Sequence, residues 1–136
     1  MASFTKINKF VEAVAEKVHN LGSDQLVIAL TNTAHTSTWG QLSDLTEVAY
    51  TNLSSRNITT TSSAQTAGTY KLTLTDLVLT SSGGTTGAFR YVYLYNDTAT
   101  NDELVAYYDY GSAITLQDGD TLTIDFDASN GFLTIA

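Results

Sequence analysis

Phe89-Arg90-Tyr91-Val92-Tyr93-Leu94-Tyr95 is the stretch whose period decides the fold. Every odd position is aromatic, and two of the three even positions are aliphatic. A helix would scatter these rings around its circumference, whereas a strand lines Tyr91, Tyr93 and Tyr95 along one face. The same two-residue logic extends in both directions. Upstream, Leu26-Val27-Ile28-Ala29-Leu30 is a continuous apolar run, as in a strand buried on both faces. Tyr70, Leu72 and Leu74 alternate with Lys71, Thr73 and Thr75, and Leu77-Val78-Leu79 follows after Asp76. Downstream lie residues 104–110, the alternating Leu122, Ile124 and Phe126, and the closing segment 132–136. About eight short strands at this spacing predict a mainly β fold, an antiparallel β-sandwich or jelly-roll-like domain over residues 23–136.

Turn residues fall between these runs. Gly83-Gly84 and Asn96-Asp97 separate strand pairs. Cross-strand partners share a face, so turn length can be tested by parity. A two-residue turn at Asn130-Gly131 sets Phe126 opposite Ile135 and Ala128 opposite Leu133, matching the apolar residues. A three-residue loop, Gln117-Asp118-Gly119, sets Ile114 opposite Leu122 and places Gly119 at a left-handed bulge position. The expectation is a C-terminal meander with positive φ at Gly119, Asn130 and Gly131. The segment 31–40, with His35 and Trp39, reads as a long surface loop, a common seat of function.

Before residue 23 the period changes. Ile7, Phe10, Val11, Val14, Ala15, Val18 and Leu21 recur at helical steps, predicting one amphipathic helix in an N-terminal arm, residues 1–22. Ser3 or Thr5 would cap it and Gly22 would end it. Its stripe either packs on the domain's own sheet or docks onto a partner.

Composition narrows the function. The 136 residues contain no Pro and no Cys, which excludes a disulfide scaffold, a zinc knuckle, a thiol enzyme and a proline-rich linker. Ser and Thr together number 35 and apolar residues make up 43%, as suits a Thr-coated β domain and not a disordered chain. The net charge is −8, so duplex binding through counterion release is not expected. That charge is uneven: residues 1–20 carry three lysines against two glutamates, and the remaining 116 carry three basic against twelve acidic groups. No apolar window is long enough to span a membrane, and no leader-like apolar run follows Met1, so no signal peptide is expected. The sequons at Asn52, Asn57 and Asn96 carry little weight in a Thr-rich chain.

Catalytic motifs are lacking. The two histidines, His19 and His35, match no metal or hydrolase pattern, and Gly83-Gly84 lacks the lysine of a phosphate loop. The expectation is a non-enzyme with no cofactor. Asp118, Asp120, Asp125 and Asp127 read as solvated turn and strand charges more readily than as ligands of a hard cation, so no metal site is expected. The tyrosine face would fill a core, form a subunit interface or serve as a sugar platform. Trp39 is either an interface anchor or a ring folded back on the domain. The candidate interface residues are therefore Ile7, Phe10, Val11, Val14, Val18, His35, Trp39, Tyr91, Tyr93 and Tyr95.

Several stretches resemble small virion structural proteins of tailed phages and prophages. They are Leu21-Gly22-Ser23-Asp24-Gln25-Leu26 running into Ala29-Leu30-Thr31-Asn32-Thr33, then Gly68-Thr69-Tyr70-Lys71-Leu72, Gly87-Ala88-Phe89-Arg90-Tyr91, Tyr95-Asn96-Asp97-Thr98, Tyr108-Asp109-Tyr110-Gly111, and Asp125-Phe126-Asp127 through Asn130-Gly131. The nearest likeness is to capsid decoration, or cement, proteins. This resemblance implies a non-enzymatic protein on the outer capsid surface, made in the host cytoplasm. Its partners would be the major capsid protein and further copies of itself, as a trimer, with no nucleic acid or membrane. A tail, adaptor or fibre component and a carbohydrate-binding module are the alternatives.

Overall fold

Helical and extended periods meet earlier in the chain than the apolar stripe implies. The computed structural model describes residues 2–136, and its first element is a strand, β1 (Ser3–Lys6), followed by α1 (Asn8–Ala15). Then come β2 (Leu26–Thr31), a short 3-10 turn (Leu42–Asp44), β3 (Thr60–Thr66), β4 (Thr69–Leu74), β5 (Leu77–Thr80), β6 (Thr86–Asn96), β7 (Leu104–Leu116), β8 (Thr121–Ile124) and β9 (Leu133–Ile135). The fold is mainly β, with antiparallel pairing throughout the named strands. A four-stranded sheet runs β1-β7-β6-β2, a three-stranded sheet β3-β4-β9, and a two-stranded sheet β5-β8.

One core joins all three sheets in a sandwich-like arrangement. Ile28, Leu30, Val92 and Leu94 enter it from the large sheet, Leu72 and Leu74 from β4, and Leu79 and Ile124 from the small sheet. Phe126 and Phe132, on the segments flanking the last turn, meet edge to face at 5.8 Å. Each fully buried Leu or Phe contributes about 2 kcal/mol of transfer free energy, so the sandwich is held chiefly by these side chains.

The N-terminal region corrects the expected arm. The helix does not run to Gly22. It ends at Ala15 because Lys17 adopts a left-handed φ of 67°. The amide of Val18 then donates to Ala13 O and that of Lys17 to Val14 O, a Schellman ending without its usual glycine. Neither Ser3 nor Thr5 caps the start: both lie in β1, and the N-cap is Ile7, with no side-chain cap bond. β1 pairs with β7, and Ile7 and Phe10 are buried, so this segment is woven into the body.

The expected C-terminal meander is also corrected. Gly119 and Gly131 have positive φ, 89° and 86°, but Asn130 does not, and Asp127 does at 50°. β8 pairs with β5, and β9 with β4. Gln117–Asp120 is a β-turn closed by Asp120 N–H to Gln117 O, with Gly119 at the position that demands positive φ. At the other turn, Gly131 N–H reaches Asp127 O and the Asp127 carboxylate accepts from Asn130, a wider reversal that carries the chain across to β4. Parity identified residues that share a face but not which strands pair. The tight primed turn lies instead at Ala67-Gly68, both with positive φ, where Thr66 pairs with Thr69.

Candidate functional site

Two regions hold the candidate residues. The first is the outer face of the four-stranded sheet. Register places Thr31, Ala29 and Val27 of β2 opposite Tyr91, Tyr93 and Tyr95, and Tyr93 opposite Tyr107 of β7. Tyr93 and Tyr107 stack at 5.0 Å, and Tyr107 in turn stacks on His35 at 4.5 Å. His35 Nδ1 lies 2.9 Å from the Tyr93 hydroxyl, and Trp39 stands edge-on to His35 at 5.6 Å. The structure thus brings His35, Trp39, Tyr91 and Tyr93 together with Tyr107. Tyr95 lies apart from these rings, beside Arg56.

This aromatic face is covered, not displayed. Tyr91, Tyr93 and Tyr95 are all buried, and Trp39 folds back over them half-buried. Burial pushes the Tyr93 hydroxyl well above the usual phenol range and holds the His35 imidazole below its ordinary value. The covering segment also closes the outer edge of β2. Arg56 donates to Ile28 O at 2.6 Å and lies 3.8 Å over the Tyr50 ring. The Tyr50 hydroxyl accepts from Leu30 N–H and donates to Glu47. Val48 N–H reaches Leu30 O, and Ile58 N–H reaches Leu26 O. The predicted surface loop, residues 31–40, thus covers the tyrosine face with His35 and Trp39, while the following residues 47–58 close the edge of β2.

The second region lies at the opposite edge of the same sheet. A groove of about 530 Å³ runs between β1, α1 and β9. Phe4 and Lys6 line it from β1, Phe10, Val11 and Val14 from α1, and Leu133, Thr134 and Ile135 from β9. Lys6 is the one charged residue of its lining. Among the described residues four large apolar side chains are exposed, and three of them line this groove: Phe4 at 43%, Val11 at 56% and Ile135 at 41%. Phe4 holds its ring edge-on to Phe132 at 5.3 Å and to Tyr108 at 5.6 Å, so the groove wall is anchored in the core. β1 ends the four-stranded sheet and β9 ends the three-stranded one, so two strand edges border the groove.

The helical stripe is therefore split. Ile7 and Phe10 belong to the core, Val11 and Val14 face the groove, and Val18 lines a separate polar cleft beside His19. Phe4 is absent from the candidates because β1 is too short to show alternation, and Ile135 entered the sequence reading only as an inward strand partner of Phe126, not as a surface residue. Beneath the polar cleft Asn96 is fully buried; its amide donates to His19 Nδ1 at 2.9 Å and to Asp24, and its carbonyl accepts from the Thr98 and Ala99 amides. Its sequon is thus closed to modification. No group of three His, Cys, Asp or Glu converges as metal ligands among the described residues. Compared with known proteins, the chain matches no family model, no curated protein and no solved structure.

Proposed function

We propose that this chain is a non-enzymatic virion structural protein that decorates and stabilises a tailed-phage capsid by bridging neighbouring shell subunits. The observation that carries the reading is the groove at the open sheet edge. Three of the four exposed large apolar side chains gather there, on a wall anchored in the core. Scattered single apolar residues need no explanation, but a convergent set bordered by open strand edges suits a protein surface. The resemblance of the sequence to virion proteins supplies the particle. In this reading the partners are the major capsid protein and other copies of the chain, as a trimer on the outer capsid surface, assembled from host cytoplasm. The −8 charge keeps the protein away from packaged DNA. Burial of Tyr91, Tyr93 and Tyr95 weighs against the sugar platform.

The test is co-sedimentation with shells of the major capsid protein encoded in the same genome, followed by cryo-electron microscopy of the particle. The expected result is saturable binding on the outer head surface, lost in Val11→Glu. Density confined to the tail would replace decoration with the tail, adaptor or fibre reading.

A further inference from the structure

We infer that the groove between α1 and β9 receives the β5–β8 face of a second copy, so that copies join head to tail. This rests on the reading of the groove as an assembly surface and adds its occupant.

The fourth exposed large apolar side chain is Val78, at 50%. It lies on β5, opposite Thr123 of β8. The neighbouring positions Leu79 and Ile124 turn the other way and are buried in the core, so Val78 stands on the outward face of the small sheet. Two residues before it is Asp76, and two residues after its partner Thr123 is Asp125, both exposed. By register the two carboxylates lie side by side at one end of this face, where Asp76 also accepts from Phe126 N–H, so Val78 is an apolar knob with an acidic end.

The groove is its complement in both respects. Its lining is apolar with Lys6 as the one charge, and Lys71 lies against Gly131 on its wall with Nζ 3.3 Å from Ser129 O. Among the described residues neither lysine is in a salt bridge, although the Lys71 charge acts on the nearby Asp127 carboxylate, whereas Arg90 is held by Asp109 at 2.7 Å. An apolar knob with an acidic end therefore meets an apolar groove whose lining carries the Lys6 cation. Knob and groove involve different residues, so the contact is heterologous, and heterologous contacts close into rings or continue as filaments. The proposed trimer is the closed case.

The test exploits this asymmetry. Val11→Glu removes the groove's apolar wall and adds a repelling carboxylate. Val78→Lys removes the knob and repels Lys6. Both side chains are exposed, so circular dichroism and thermal melting should match the parent. In sedimentation velocity the parent chain should associate and each variant alone should be monomeric, with at least a tenfold weaker apparent Kd. Mixing the two should restore a one-to-one heterodimer and nothing larger, since one knob and one groove survive. A monomeric parent, or a mixture that stays monomeric, overturns the inference. If the parent is monomeric yet Val11→Glu abolishes shell binding, the self-contact falls and the assembly reading stands. If Val11→Glu changes neither self-association nor shell binding, both fall.

Discussion

At one end of the four-stranded sheet, β2 is held along its outer edge by Arg56, Tyr50, Val48 and Ile58. At the other end, among the described residues, no strand pairs with the outer edge of β1, which instead borders the apolar groove. Unpaired edges are sites of unwanted pairing, and proteins usually cover or charge them. Here one edge is covered by the 28-residue connection from β2 to β3, well beyond the usual loop length of compact domains, while the other receives a short helix and stays accessible. The difference separates a closed structural edge from an edge available to a partner.

The largest effect should come from deleting residues 1–20. The deletion removes β1 together with Ile7 and Phe10, both buried in the core. The expected outcome is loss of cooperative melting by calorimetry; a folded truncate would restore the independent arm. Phe10→Ala, which empties a core position beside His19, should cost about 3 kcal/mol in urea titration. Arg56→Ala breaks the β2 closure by leaving Ile28 O without its charged donor, and should cost about 2 kcal/mol. Hydrogen exchange should rise along β2 and not along β1, and equal exchange at both edges would mean that β2 is no better closed than β1.

Acid should act next. His19 Nδ1 accepts from Asn96, so the neutral ring carries its proton on Nε2, which is buried without a partner. Burial depresses its proton affinity despite Glu103 and Asp24, and burial likewise depresses that of His35. Both folded pKa values lie below the unfolded value of 6.5, so the unfolded chain binds more protons as the pH falls. Stability should therefore decline from about pH 6.5 downward, until the folded rings also protonate. His19→Gln should flatten that slope in pH-dependent melting. The smallest effect on stability belongs to Val11→Glu, within about 0.5 kcal/mol, because the side chain is exposed. An effect of several kcal/mol would mean that the groove is part of the core.

The β class was legible wherever alternation met burial. β6, with rings on one face and aliphatics on the other, is both a strand and central to the sheet, as its period implies. β3 was illegible because its residues are almost all exposed, so Thr60–Thr66 shows no apolar alternation. Strand pairing was illegible because two turns of acceptable chemistry, at Gly119 and Gly131, connect strands that pair elsewhere. The helix end escaped notice because a lysine took the conformation usually left to glycine. Of the candidate residues, the aromatic ones were legible as a cluster, but only the packing of the 32–58 segment decides that they are covered. The groove depends on Phe4 and Ile135, contributed by opposite ends of the chain, and no local pattern links them.

The turn at Ala67-Gly68 has a practical side. It sits at the tip of a hairpin whose first strand is exposed along most of its length, and a side chain built on Gly68 would meet nothing within 4 Å. Foreign sequence spliced there would not disturb the core, and its closure entropy grows only slowly with length. The hairpin is thus a natural insertion point for displaying peptides, pointing away from the buried residues that keep the body folded.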